Sequence, residues 1–245
     1  METTAPTSIQ NKKIQFEDLG LIDYLPAFDY QEKLMNAIIA VKLNNRKHPE
    51  ETPTKTNNHF LFVEHPHVYT LGKSGDEIHL LIREEKLKEI QATFVKTNRG
   101  GDITYHGFGQ IVGYPILDLD NFKSDIHLYM RNLEEVIIRV IAEYGLKGER
   151  SQGETGVWLD VGTPFARKIC AMGVKTSKWV TMHGFALNAN TDLRYFEYII
   201  PCGIKDKSVT SLARELERTL SEEEIITLKE KIKKHFQAVF ETEFI

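Results

Sequence analysis

Apolar positions at Leu133, Val136, Ile137, Val140, Ile141 and Tyr144 recur every three to four residues. That period puts one apolar face on a helix, and Gly145 stands where such a helix takes its C′ residue. From Ser221 a Ser-x-x-Glu start has the form of a capping box. Ile225, Leu228, Ile232, Phe236 and Val239 mark the inner face of the helix that follows. A third helix is predicted after Asp29, with Glu32 at N3, Leu34, Ala37, Ile38 and Val41 at helical spacing, and an end near Leu43. Between these segments the pattern shortens to apolar runs at 60–63, 68–72, 92–95, 110–114, 156–159, 169–174 and 180–188, which read as strands. Strands outnumber helices through the middle, and their close spacing with glycine turns favours mixed or antiparallel pairing. The fold class is therefore α+β: a single domain with a mixed/antiparallel sheet and flanking helices, in preference to a doubly wound sheet. Residues 1–13 read as a flexible polar tail and 14–245 as one domain. The polar stretch 44–58, with two prolines, reads as a long surface loop.

Composition adds exclusions. The chain has 245 residues, 41% hydrophobic and 27% charged, with a net charge of −4. A slightly acidic balance gives no global attraction to nucleic acid or to an anionic membrane. No apolar run is long enough to span a bilayer. The first residues are polar, unlike a signal peptide. Two cysteines are too few for a disulfide framework, so the expected compartment is a reducing cytoplasm.

Chemistry concentrates in a few places. Residues 99–113 hold five of the chain's 16 glycines together with Arg99 and His106. Glycine is costly unless the backbone must take positive φ or approach something closely, so this stretch suggests a loop wrapped around a ligand. Cys202 sits between Pro201 and Gly203 at the end of an apolar run, an arrangement that can present a sulfur at a loop edge. The motif alone leaves it open between nucleophile and packing. Cys170, inside a strand pattern, reads as a small buried hydrophobe.

A thiol with pKa near ~8.5 is only a few per cent thiolate at neutral pH. A nucleophilic Cys202 therefore needs a cation or base, and His106, His183 and the lysines are the candidates. Lys168 stands out because it lies within a strand-like segment. An ammonium about 4 Å from a thiolate gains roughly 4 kcal/mol at an effective dielectric near 20. His65 and His67 have the spacing of a metal pair, but no further ligands follow, and no metal site is expected.

Four blocks in order carry a resemblance. Arg99, Gly100, Gly101, Asp102, Ile103, Thr104, Tyr105 and His106 run on through Gly107, Phe108, Gly109 and Gln110. Arg167-Lys168-Ile169, then 181–188, then Pro201-Cys202-Gly203-Ile204 follow. From about Leu19 to Leu216 the chain resembles the lipoyl(octanoyl) transferases. The resemblance implies the fold shared with biotin and lipoate protein ligases. It also implies octanoyl transfer from octanoyl-acyl carrier protein to a lysine of lipoyl domains, those of 2-oxoacid dehydrogenases and of the glycine-cleavage carrier protein. No cofactor is implied.

By position, Cys202 matches the acyl-thioester cysteine and Lys168 its activating lysine. Arg99 to His106 matches the substrate-binding loop, and Ala171-Met172-Gly173 with Gly184-Phe185-Ala186 match two segments lining the acyl pocket. His183, beside Gly184, is a supporting candidate. The chain departs from the pattern at Phe108, where proline is usual, and at 44–58, which has the look of an insertion. Two other readings stand beside this one: an ATP-dependent lipoate or biotin ligase, although the Gly-Arg-Gly-Arg run of biotin ligases is missing, and a non-catalytic protein that docks acylated domains.

Overall fold

Alternation along the central strands sends successive side chains into two different cores. In the computed structural model, which describes residues 10–200 and 208–245, Phe60 and Phe62 of β2 (His59–Glu64) face one apolar cluster while Leu61 and Val63 face another. A strand buried on both sides reads as a continuous apolar run.

β2 belongs to an eight-stranded sheet. Its order is β10 (Ser208–Val209), β8 (Arg167–Ser177), β9 (Val180–Asn188), β6 (Gln110–Ile116), β2, β1 (Lys13–Leu21) and β11 (Glu243–Phe244), with β7 (Val157–Leu159) also paired to β8. The pairing is mixed. β1 runs parallel to β2 and β11, and β10 runs parallel to β8. The β2–β6, β6–β9, β7–β8 and β8–β9 pairs are antiparallel. Helices α3 (Ile126–Ala142) and α5 (Glu222–Phe240) cover one face with fully buried Leu133, Ile137, Leu228, Ile232 and Phe236. Helix α1 (Tyr24–Lys47) covers the other. A smaller sheet of β4 (Thr93–Lys96), β3 (Val68–Leu71) and β5 (Ile103–His106) packs on its own cluster around Tyr69, Tyr105 and Phe196. Helices α2 (Glu84–Glu89) and α4 (Leu212–Glu215) are short connectors. Among the described residues no helix is long and apolar enough to cross a membrane.

This is the predicted α+β arrangement, and the Ser221–Glu224 capping box forms with both reciprocal bonds. Four local readings change. Helix α1 starts at Tyr24 behind Asp23, not behind Asp29, and continues to Lys47. Pro26 is tolerated in its first turn, where the backbone N–H has no helical partner. Its buried stripe contains Gln31 and Lys42, while Ala37 is exposed. Each has a long-range partner: Gln31 Oε1 accepts the His183 amide (3.0 Å) and Lys42 pairs with buried Asp118 and with Asp120 (2.7 Å). The loop that follows is surface chain with a pinned end, since Thr56 and Asn58 are buried and Thr56 Oγ1 donates to Asp118 (2.8 Å).

The third change is at Gly145, which falls at C″ because Glu143 caps α3. The fourth concerns the tail: Asn11 already accepts from Lys13 and donates to Thr56, and Lys13 opens β1.

Candidate active site

A bulge in β8 decides where Lys168 points. Val157 pairs with Cys170 and Trp158 with Lys168, so Ile169 is an extra residue with no partner on β7. Ile169 and Cys170 both turn into the α3–α5 core and are wholly buried. Lys168 is thereby put on the face of Ala171 and Gly173, and all three line one cleft. Strict alternation would have set Lys168 opposite Ala171.

Lys168 is half-buried, with Nζ 4.6 Å from the centroid of the Trp158 ring. Val209 pairs with it, and the Thr210 amide donates to its carbonyl (2.9 Å). Gly156 lies under the bulge at φ +106°. Its amide donates to Oε1 of Glu134 (3.2 Å), a wholly buried carboxylate that also pairs with Arg131 (2.8 Å) and Arg150 (3.1 Å). Burial holds the Glu134 carboxyl above the usual range in spite of these partners.

The cleft encloses about 810 Å³, its open mouth included. Its apolar floor is the cross-strand set Ala171–Ala186, Met172–Phe185 and Gly173–Gly184, where small side chains leave room. Cys170 shares strand β8 but not the cleft; burial pushes its thiol up and keeps it protonated, as packing material requires.

The glycine-rich stretch is not one loop. Residues 103–106 form β5, and the irregular part is confined to either side. Gly101, Asp102, Ile103, Thr104 and His106 line the cleft, with Gly101 at φ +86°. Gly100 and Tyr105 do not line it. The Gly100 amide donates to Val174 O (2.9 Å), and Tyr105 turns away to place its hydroxyl 2.7 Å from His67 Nδ1. The loop's amides are therefore not all open to a substrate, because that of Ile103 is also engaged, by Asp102 Oδ1 (2.7 Å). Arg99 lines the cleft while its guanidinium donates to Thr70 O (2.6 Å) and Gly100 O (3.0 Å). Asp102 Oδ2 lies 2.6 Å from His79 Nδ1.

Hydrogen-bond partners assign the histidine tautomers. Gln110 Nε2 donates to Asn188 Oδ1 (2.9 Å), so its Oε1 faces His106 and His106 Nδ1 carries the proton (2.8 Å). Asn98 Nδ2 donates to Glu32 (3.3 Å), so Asn98 Oδ1 accepts from His183 Nε2 (2.9 Å). Burial, reinforced for His183 chiefly by Arg99, pulls both imidazoles down to about 3. Neither is a cation at neutral pH, so of the candidates weighed for a thiol's partner neither histidine can supply the positive charge. His65 and His67 serve structure: His65 bridges Ile22 O and the Tyr114 hydroxyl (both 2.8 Å), and His67 stacks on Tyr195 at 4.1 Å. Phe108 is half-exposed and packs edge-on against His67 at 4.9 Å.

Cys202 lies outside the described residues. Sequence reasoning did not single out Tyr24, Tyr114, Thr155, Asn188, Phe196 and Val209, which also line the cleft. Asn188, a polar residue closing an apolar strand, carries a signal. The others look like ordinary strand, helix or loop residues.

The lipoyl protein ligase A/B catalytic domain family matches residues 23–237. An octanoyltransferase of Christiangramia forsetii is 63% identical over 234 residues, 95% of this chain and 98% of the relative. One of Flavobacterium johnsoniae is 61% identical over 236 residues, covering 96% of this chain and 100% of the relative. Among solved structures, lipoate-protein ligase A bound with ATP matches with a TM-score of 0.65 at 13% identity, over 95% of this chain and 87% of that one. A bipartite lipoate protein ligase from Thermoplasma acidophilum gives 0.61 at 15% identity, over 96% and 86%. At such identities the structural likeness speaks for the fold.

Proposed function

Because the chain belongs to the lipoyl protein ligase A/B catalytic family and, within it, to the octanoyltransferases, we propose that it moves an octanoyl group from octanoyl-acyl carrier protein, through a thioester on Cys202, to a lysine of a lipoyl domain. The observation that carries this reading is the bulge that brings Lys168 to the rim of an apolar slot floored by Ala171, Gly173, Gly184 and Ala186. Eight carbons suit such a slot: at ~0.8 kcal/mol per buried methylene, the chain supplies about 5 kcal/mol of binding.

The chemistry proceeds in two exchanges. In the first, the Cys202 thiolate attacks the thioester carbonyl, the new C–S bond forms, the carbonyl–sulfur bond to the carrier breaks, and the carrier's sulfur leaves as a thiol with the proton of the Lys168 ammonium. In the second, the amine of the acceptor lysine attacks the acyl-enzyme, an amide forms, and the Cys202 sulfur leaves. Lys168 as an ammonium stabilises the thiolate, and once neutral it takes the proton of the incoming amine. The covalent intermediate lets one large protein depart before the second docks. Support for Cys202 near Lys168 comes from the flanking chain: Ile200 donates to His79 O (2.9 Å) and Val209 pairs with Lys168.

The test is intact mass after mixing the protein with octanoyl-acyl carrier protein, without acceptor or ATP. The expected product is a hydroxylamine-labile octanoyl adduct on Cys202, absent from Cys202→Ser. A protein that stays unmodified with its donor still loaded, and that acylates a lipoyl domain only with ATP and free octanoate, is a ligase instead.

A further inference from the structure

We infer that the His183 imidazole is the end-stop of the acyl slot and sets the longest chain the cleft accepts. This rests on the octanoyl-transfer reading and adds its specificity determinant. The argument starts from β9. Ala186 and Gly184 line the slot opposite Ala171 and Gly173, and the next pair along the ladder is His183 with Val174. The small residues therefore stop at His183, at the end of the floor remote from Lys168.

Length agrees with this placement. From Ala186 to His183 is three residues of extended strand, or about 10 Å. An extended eight-carbon chain, built of ~1.5 Å bonds at tetrahedral angles, is about 9 Å long. A chain whose thioester lies at the Lys168 end reaches His183 with its terminal methyl.

His183 is held as a stop must be. Its backbone is left-handed, φ +63°, inside a strand, a sparsely populated conformation that histidine adopts more readily than most residues and that here turns its side chain out of the strand's alternation. Gln31 Oε1 takes its amide (3.0 Å), Asn98 Oδ1 takes its Nε2–H (2.9 Å), and the Phe28 ring packs at 5.7 Å. The Tyr114 ring stands edge-on to it at 6.4 Å, and the charge of Arg99 acts on it. Extra methylenes would collide with a fixed ring and press into polar groups, so rejection is both steric and electrostatic.

The experiment compares Cys202 acylation rates from octanoyl-, decanoyl- and dodecanoyl-acyl carrier protein for wild type, His183→Gly and His183→Asn. Glycine and asparagine both accept left-handed backbone, so the strand keeps its conformation. The decanoyl-to-octanoyl rate ratio is expected to rise about tenfold in both variants, as two further methylenes gain a place to be buried. A ratio equal to that of wild type in a variant with a cooperative melt overturns the end-stop. Absence of any octanoyl adduct on the wild-type protein instead overturns the transfer reading itself.

Discussion

The Cα of Gly156 lies so close to the carbonyl of Cys170 that a Cβ would stand 2.4 Å from the oxygen. That oxygen belongs to the bulge that turns Lys168 into the cleft, so a glycine three positions before Leu159 controls a side chain on the next strand. Gly156→Ala must either flatten the bulge or leave φ +106°, and backbone cannot move aside as a side-chain tip can. We expect a loss of about 2 kcal/mol or more. Well below the melting temperature, acyl-enzyme formation should also fall at least tenfold. Urea unfolding and single-turnover acylation measure the two effects separately; a destabilised variant with a wild-type acylation rate would dissociate the bulge from the lysine.

Lys168→Ala should slow Cys202 acylation at pH 7 by up to about thirtyfold, since the thiol then returns towards its ordinary pKa of ~8.5 and is only a few per cent thiolate. Raising the pH through 8 and 9 regenerates thiolate without the lysine, so part of the rate returns. A loss that stays constant with pH would assign Lys168 a role other than supporting the thiolate.

Three buried histidines give the fold an acid limit. Burial draws His106 and His183 down to about 3 and His65 to about 4, below the ~6.5 of an unfolded imidazole. Between those values the unfolded chain binds protons that the folded chain does not. Their contribution is therefore fully present above ~6.5 and is lost as pH falls, with a slope of up to about 1.4 kcal/mol per unit for each group. Urea unfolding between pH 6.5 and 4.5 should show stability falling with uptake of about three protons on unfolding from this set. His106→Asn should remove about one of them.

Lys42 and Asp118 form a buried ion pair, with side chains 6% and 4% exposed, that ties α1 to the chain after β6. Lys42→Met leaves the carboxylate without its cation and should cost about 3–5 kcal/mol. Adding Asp118→Asn should recover at least half, because an amide tolerates burial and still accepts from Thr56. Melting curves of the three variants test this, and acylation per folded molecule should be unaffected, since neither residue lines the cleft.

How far the sequence reaches follows the range of the forces involved. The α5 capping box, the apolar face of α3 and the bounds of β9 are local matters of capping and periodicity, and they are legible without a fold. The motif blocks likewise carry the candidate site, because a ligand-wrapping backbone must be written in glycines and a reactive group in its residue type. Helix α1 escapes local reading because Gln31 and Lys42 are buried against partners, His183 and Asp118, that lie far along the chain. Tyr105 reads as a cleft residue and is turned away by His67.

Amino-acid order by itself determined the α+β class and the octanoyltransferase resemblance, and it singled out Lys168 and the segments 171–173 and 184–186 as candidates. The tertiary structure alone decided which face Lys168 occupies, that His106 and His183 are neutral, and that His183 lines the cleft beside Gly184. Side-chain direction in a strand depends on pairing register, and one unpaired residue, Ile169, reverses it. Protonation depends on burial and neighbours, which exist only once distant segments have packed together.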